Sequence, residues 1–511
     1  MTWPRIAGLA LLTVGVAGAS AAADNPAVAD AAERRNAALV RSLLAARADV
    51  NTAQVDGMTA LHWAVYHDEA EMAALLVRSG ANVSATNLYG VPPLSLAAIN
   101  GNAALVRTLL EAGADANAAQ PGGETVLMTA ARAGSVDTVK ALLARGANPN
   151  ARERRDQDAL MWAAAEGHAA VVQALIDGGA DVRARVKSGF TPLFFAVREG
   201  HIDAARMLLK AGVDVNEVLQ HDERGADVPV TDAVASGTSP LLMAVQNGHF
   251  ELAIALVEAG ADPNDRRTGF TPLHAVTWVR RPDASDAGDP PPIGSGRLTS
   301  LQFVRALVER GANVNVRLEK GAPKAPYAAT LLKTEGSTPF LMAVDRADVP
   351  LMRELLKLGA DPLLPNADNS TPLMAAAGLG TANPLEEAGT EAEALEAVQL
   401  LLELGADVNA VDTNGDTAIH GAAYGNFPAI VQVLADRGAD INIWKRADTE
   451  GRTPLFIAEG YKAGRPQPSK PTIEVLRRLM VAAGVPTDGP RPRIIDIYER
   501  VPEPPKDQPK P

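Results

Sequence analysis

The feature that most constrains the fold of this 511-residue chain is a short motif that recurs at a fixed interval. A four-residue string begins at Thr59, Pro92, Thr125, Asp158 and Thr191, so each start lies 33 residues after the previous one. Related strings begin at positions 239, 271, 338, 371, 417 and 453. A fixed period of this length indicates a repeat protein in which every repeat is one supersecondary element.

Each repeat encodes two short helices and a turn. Thr191 is a good N-cap residue, and Pro192 suits the first helical position because its missing N–H costs nothing there. A second amphipathic helix follows, as in residues 171–176, and Gly179 supplies the left-handed residue that ends it. An Asp/Asn-containing turn then leads into the next repeat.

The composition fits thin layers of helices rather than one large core. Apolar residues make up 47% of the chain but aromatic residues only 4%, so the apolar surface consists mainly of Ala, Leu and Val. A repeat of this size cannot bury its own apolar face, and stacking of neighbouring repeats must bury it. A chain of this length would usually form about three globular domains, but that expectation does not apply to a stack of repeats.

The repeated strings resemble those of ankyrin-repeat proteins. The matching elements are the Thr-Pro-Leu-His-type starts, turns such as Gly167-His168, and strings such as Gly405-Ala-Asp-Val-Asn409. The resemblance covers about residues 26–485 and implies an all-α ankyrin-repeat solenoid of about twelve helix-turn-helix repeats joined by β-hairpin-like turns. It places this domain at 24–485 and implies that the histidines in the start string and the turn bridge backbone groups of neighbouring repeats.

Five insertions interrupt the period, near residues 217–237, 280–300, 317–337, 378–391 and 465–471. The insertions at 217–237 and 317–337 lengthen turns between repeats, and the resemblance implies that such turns, with the first helices, line the concave surface that partners occupy. Two interpretations stay open. These two insertions, which we call the fingers, form a clamp for a partner, or they are tolerated surface loops. Such loops are tolerated because each doubling of loop length costs only about 0.6 kcal/mol.

Both ends of the chain differ from the repeats. Residues 1–23 combine one positive charge, an apolar run over Ile6–Gly18 and small residues before Asp24, which predicts a cleaved signal peptide. We therefore expect an exported protein, periplasmic if the source is Gram-negative and otherwise secreted, with no membrane insertion after cleavage. Residues 486–511 are Pro-rich and are predicted to be a disordered tail.

Charge and motif content exclude several classes of function. The formal net charge of −13 disfavours nucleic acid as a partner, and the absence of cysteine removes disulfides and thiolate chemistry. The sequence contains no phosphate-binding loop, nucleophile elbow or zinc-protease motif. We expect no catalytic residues, no metal and no cofactor.

The sequence thus predicts a non-enzymatic scaffold, expected to be a monomer, that binds a partner protein through its concave face and long fingers. An alternative is an accessory or regulatory subunit of an exported enzyme, whose inserted loops complete or gate the partner's site. Candidate partner-binding residues fall in or beside the insertions or in an inter-repeat turn: His221, Arg224, Trp278, Tyr327, Lys333 and Trp444.

Overall fold

A computed structural model describes residues 26–220, 237–282, 291–320, 332–381, 389–461 and 468–488. The chain divides into a first body, residues 1–154 with 177–180, and a second body, residues 155–176 with 181–511. Throughout the described residues, the regular elements are helices, and one isolated antiparallel bridge joins Ala119 to Thr125. The prediction of an all-α fold is confirmed.

The first body is a stack of helix pairs. Its helices are α1 (Ala27–Glu33), α2 (Ala37–Ala45), α3 (Ala60–Tyr66), α4 (Ala70–Arg78), α5 (Pro93–Ile99), α6 (Ala103–Glu111), α7 (Val126–Ala133) and α8 (Val136–Ala144). First helices pack on first helices, as α1 on α3 and α5 on α7, while second helices form a parallel layer, as α4 on α6. The core lies between the two layers.

The second body repeats this arrangement. Its helices are α9 (Ala159–Ala165), α10 (Ala169–Asp177), α11 (Pro192–Glu199), α12 (Ile202–Lys210), α13 (Pro240–Gln246), α14 (Phe250–Glu258), α15 (Pro272–Arg280), α16 (Ser300–Glu309), α17 (Pro339–Asp345), α18 (Val349–Lys357), α19 (Pro372–Ala376), α20 (Glu391–Glu403), α21 (Ala418–Tyr424), α22 (Pro428–Asp436), α23 (Ile441–Trp444), α24 (Pro454–Ala458) and α25 (Lys470–Ala482). None of the helices in the described residues is long and apolar enough to cross a bilayer.

Local chemistry sets where these helices begin and end. The Thr191 side chain accepts a hydrogen bond from the Phe194 N–H, and Pro192 takes the first position of α11. The same helix ends at Gly200, whose φ of +80° lies in the left-handed region that favours glycine. The repeated Thr-Pro start and the later Gly therefore act as helix boundaries, as the sequence predicts.

An asparagine ladder fixes the spacing of the turns. The Asn117 Nδ2 donates to the Gly146 carbonyl at 3.0 Å, and its Oδ1 accepts from the Asn148 N–H at 2.8 Å. The same pair of bonds recurs at Asn51, Asn216, Asn264, Asn315 and Asn409. The final Asn of these strings thus ties one turn to the next, whereas Asn442, which ends the string that begins at Gly438, lies within the helix Ile441–Trp444.

Histidines form a second ladder inside the stack. The His420 Nδ1 accepts from the Thr417 N–H at 3.2 Å, and its Nε2 lies 3.2 Å from the Arg446 carbonyl in the next repeat. His62 and His274 make the equivalent contacts. Because Nδ1 accepts and Nε2 donates, the neutral ring satisfies both partners, and the expected structural role of these histidines is confirmed.

We expect this ladder to make the protein sensitive to acid. Burial lowers the pKa of His420 and of His274 from 6.5 to about 4. A lowered pKa in the folded state gives stability that is complete above pH 6.5 and is lost as the pH falls toward 4, by about 3 kcal/mol per ring. His420→Gln should therefore lose less stability between pH 7.5 and 4.5 than the native chain in urea unfolding. Parallel losses in both proteins would contradict this.

Part of the insertion at 280–300 packs on the preceding repeats. The Ser295 N–H donates to the His249 Nδ1 at 2.9 Å, and the Ser295 Oγ donates to the Gly200 carbonyl at 3.0 Å. A Cβ on Gly294 would lie 1.8 Å from the Gly248 carbonyl oxygen, so only glycine fits there. This part of the insertion therefore follows a defined path over the helix turns of α11–α12 and α13–α14.

Candidate binding surface

The turns that precede the first helices form one edge of each body, which we call the turn edge. In an ordinary turn, the Gln54 N–H donates to the Met58 carbonyl at 2.9 Å and the Gly57 N–H donates to the Gln54 carbonyl at 2.9 Å. Gly57 has a φ of +81°. Two residues, Val55 and Asp56, form the tip between these bonds. Tip residues therefore project from a backbone that is already closed.

Large apolar side chains lie exposed at successive tips in the first body. Val55 is 100% exposed, while Leu88 and Tyr89 at the next tip are 74% and 71% exposed. The Leu88 N–H donates to the Asp56 carbonyl at 2.9 Å, which holds the two tips together. Exposed aromatic and aliphatic side chains on a defined backbone are typical of protein-binding sites.

Both long fingers of the second body start from this same kind of turn. The Leu219 N–H donates to the Thr238 carbonyl at 3.0 Å and the Gly237 N–H to the Leu219 carbonyl at 2.9 Å. The second finger repeats this pattern. The Leu318 N–H donates to the Ser337 carbonyl at 2.9 Å, and the Gly336 N–H donates to the Leu318 carbonyl at 2.8 Å. Seventeen residues thus replace the two-residue tip in each finger, at 220–236 and 319–335. The two insertions have equal length and equivalent positions.

A polar cavity of about 170 Å³ opens at the turn edge of the second body. Four carboxylates and two cations are among the side chains that line it: Asp368, Asp412, Asp416, Glu450, Lys333 and Arg452. They come from four successive turns, because each repeat places the residues that precede its first helix at the same edge. The cavity therefore combines side chains that are more than a hundred residues apart.

Both cations of the cavity already have partners. The Lys333 Nζ lies 2.9 Å from an Asp368 oxygen, and this bond raises the pKa of Lys333. The Arg452 Nε lies 2.8 Å from Asp448, and the Arg452 Nη1 lies 2.8 Å from Glu450. Both positive charges are therefore already paired with carboxylates of the turn edge.

The Asp412 carboxylate is satisfied by neutral donors. It accepts from the N–H groups of Asn414 and Asp416, both at 2.9 Å, and from the Ser370 hydroxyl at 2.9 Å. This pattern is the Asx-type turn that shapes the tip. Asp412 is consequently part of the scaffold of the cavity.

Asp416 is the exception. It is 6% exposed, and its Oδ1 is buried without a hydrogen-bond partner. Burial, followed by the negative charges of Asp412 and Asp448, raises the pKa of Asp416 to about 7, while Arg452 acts in the opposite direction. A carboxylate that is costly to ionise and faces a polar cavity is a typical mark of a binding site.

The candidate residues from the sequence have different outcomes. Lys333 lies in the cavity, and Trp278 is half-buried, with its ring edge-on to Phe270 at 5.1 Å. Trp444, a partner-binding candidate assigned to an inter-repeat turn, is only 3% exposed. The residues after Asp440 form α23, which ends at Trp444, and Trp444 lines a cavity of about 320 Å³. His221, Arg224 and Tyr327 lie outside the described residues, as do residues 1–25 and 489–511.

Sequence reasoning missed Asp416 and Arg452, although a signal was present. Both residues immediately precede a repeat start, Thr417 and Thr453. That position is apolar in four other repeats and polar in five, including Glu124, so a single charge there is not distinctive. Opposite charges in two consecutive repeats occur at Asp416 and Arg452. Aligning the repeats by this position shows the paired charges but not the burial of Asp416.

The described residues contain no group of three or more His, Asp or Glu side chains arranged to hold a metal ion. The stacked helix pairs, the Asn and His ladders and the projecting turns define a helical repeat protein. A model for ankyrin repeats in three copies matches residues 28–120, 81–153, 127–219 and 385–465, more than half of the chain, and a single ankyrin-repeat model matches residues 236–267. The chain belongs to the ankyrin-repeat family.

Several curated proteins match parts of the chain. An ankyrin repeat-containing protein of Schizosaccharomyces pombe is 43% identical over 58 residues, 11% of this chain and 27% of that protein. Human Rabankyrin-5 is 36% identical over 132 residues, which are 24% of this chain and 10% of that protein. Chicken Inversin is 38% identical over 73 residues, which are 14% of this chain and 6% of that protein. The chain thus spans about a quarter or less of these relatives, and the match reflects shared repeats.

Proposed function

We propose that this chain is a non-enzymatic scaffold that binds a partner protein through its turn edge. Membership of a repeat family that typically mediates protein–protein interaction supports the class of function. The observation that carries the proposal is the pair of adjacent tips with the exposed side chains of Val55, Leu88 and Tyr89. We extend the proposal to an exported protein on the basis of the apolar run at residues 6–18.

Serine replacement of the tip should test this surface. We expect the double variant Leu88→Ser, Tyr89→Ser to bind the partner at least tenfold more weakly, since anchors of this type contribute about 2 kcal/mol. Its stability should not change, because both side chains are exposed. The measurement is affinity capture of partner from the exported fraction, followed by titration of the identified partner.

The matched control is Leu39→Ser, which removes an exposed leucine from the second helix α2. This control should bind as the native chain does. Equal binding by the tip variant and the native chain would refute the proposal for this surface. If the captured partner is an enzyme, the alternative function as an accessory or regulatory subunit is favoured.

The fingers can be removed without opening the turns. Because Leu219 and Gly237 are already hydrogen-bonded, replacing residues 220–236 by the Val55-Asp56 dipeptide should restore an ordinary turn. The same replacement applies to residues 319–335. If the fingers form a clamp, each shortened chain should keep the native helical signal and lose roughly tenfold or more in partner affinity. Unchanged affinity in both would assign the fingers to tolerated surface loops.

A further inference from the structure

We propose that the cavity at the turn edge of the second body is a binding site for an arginine side chain of the partner protein, whose guanidinium group pairs with the Asp416 carboxylate. This inference rests on the proposed function and specifies what one part of the edge recognises. It requires that no cation of the cavity is bonded to Asp416, that the cavity fits a side chain, and that the site exists before the partner arrives.

No cation of the cavity is bonded to Asp416, although the charge of Arg452 lowers the pKa of Asp416. Lys333 is bonded to Asp368, and Arg452 is bonded to Asp448 and Glu450. The lining holds four carboxylates and two cations, so its net charge is negative when all are ionised. An incoming cation removes this imbalance, whereas an anion would add to it.

The unpartnered oxygen points to a hydrogen-bond donor as well as a charge. Asp416 lines the cavity, is 6% exposed, and has a buried Oδ1 with no partner. A buried polar atom without a partner costs about 1–3 kcal/mol, more for a charged group. A guanidinium group offers N–H donors in a planar fork that matches a carboxylate, so it supplies both the bond and the charge.

The size of the cavity selects a side chain over a larger ligand. Pockets for drug-sized molecules and cofactors usually enclose about 300–1,000 Å³. The present cavity encloses about 170 Å³, which suits the end of one long side chain. Its position on the turn edge places that side chain on the surface proposed to face the partner.

The site is held in place without a ligand. The Asp416 N–H donates to Asp412, which also accepts from Ser370 of the preceding repeat. Arg452 lies over the Tyr424 ring at 5.6 Å while bonded to Asp448. These contacts join three consecutive repeats, so binding would not need to order the cavity first.

Binding should release a proton. Asp412, Asp448, Glu450, Arg452 and Tyr424 are the titratable groups that act on Asp416 or lie against it, and the carboxylates among them favour its protonated form. A guanidinium group stabilises the ionised form, so the proton leaves as the cation enters. Affinity should therefore fall as the pH is lowered from 8 to 6.

The test is calorimetric titration of the full chain with three probes: N-acetyl-arginine amide, its neutral citrulline analogue and free arginine. We expect one site for the arginine amide, proton uptake by the buffer, at least tenfold weaker binding of the citrulline analogue, and at least tenfold weaker binding to Asp416→Asn. Glu403→Gln, an exposed carboxylate at the end of α20, is the matched control and should bind as the native chain does.

The outcomes separate the possible sources of the guanidinium group and the two proposals. Stronger binding of the amide than of free arginine supports a protein side chain, whereas the reverse order assigns the cavity to the free amino acid and overturns the proposal. Equal binding to native chain and Asp416→Asn, equal binding of citrulline, or no binding also overturns it. If the arginine proposal fails but partner capture still depends on Leu88 and Tyr89, the proposed function is retained.

Discussion

We expect Asp416→Asn to raise the free energy of unfolding at pH 8 by up to about 4 kcal/mol. The pKa of Asp416 is raised from 3.8 to about 7 in the folded chain, so the folded state resists ionisation. The resulting penalty is absent below pH 3.8, grows as the pH rises to 7 and is complete above it. Three pKa units correspond to about 4 kcal/mol, and the neutral amide removes this cost.

The measurement is urea unfolding of the variant and the native chain at pH 4.5 and pH 8. The gain from the variant should be small at pH 4.5 and largest at pH 8, and Glu403→Gln should show no such dependence on pH. Equal differences at both pH values would mean that Asp416 ionises normally in the folded protein. This dependence opposes that of the buried histidines, which lose stability toward acid.

The second large effect is expected at Phe303. This side chain on α16 is fully buried, and its ring stacks on Phe250 of α14 with centroids 4.9 Å apart. Truncation of a buried Phe to Ala costs about 3–5 kcal/mol, through lost transfer energy and the cavity left behind. Because the helices pack mainly on those of adjacent repeats, the loss concentrates at the α14–α16 contact.

Phe303→Ala should therefore lower stability and also reduce the cooperativity of unfolding. Urea unfolding should shift to lower concentration with a shallower or two-step transition, and hydrogen exchange should accelerate first in α14 and α16. Phe303→Leu is the control and should retain most of the stability. A loss below about 1 kcal/mol, or a uniform increase of exchange along the chain, would contradict the local stacking account.

The repeat period was sufficient to predict the fold. The Thr starts and Gly ends act within their own repeat, and the Asn of most strings bonds the next turn at a fixed repeat position. Trp444 could not be placed from the repeat pattern. The residues after Asp440 depart from that pattern because they form α23 instead of an extended turn.

The cavity could be predicted only in part. Lys333 was singled out because it lies in an insertion, yet its partner Asp368 comes from the next repeat. The raised pKa of Asp416 depends on burial and on the arrangement of charges from neighbouring turns, which no single string encodes. Alignment of repeats shows which side chains share an edge, but the distances between them require the structure.

Site-specific photo-crosslinking tests the central claim that the turn edge binds the partner. A photoreactive residue is placed at Leu88 or Val411, both exposed in turns, and at Leu39 or Val481, both exposed on second helices. We expect adducts with a partner protein from Leu88 and from Val411, and none from Leu39 or Val481. Adducts confined to the second-helix positions would contradict it.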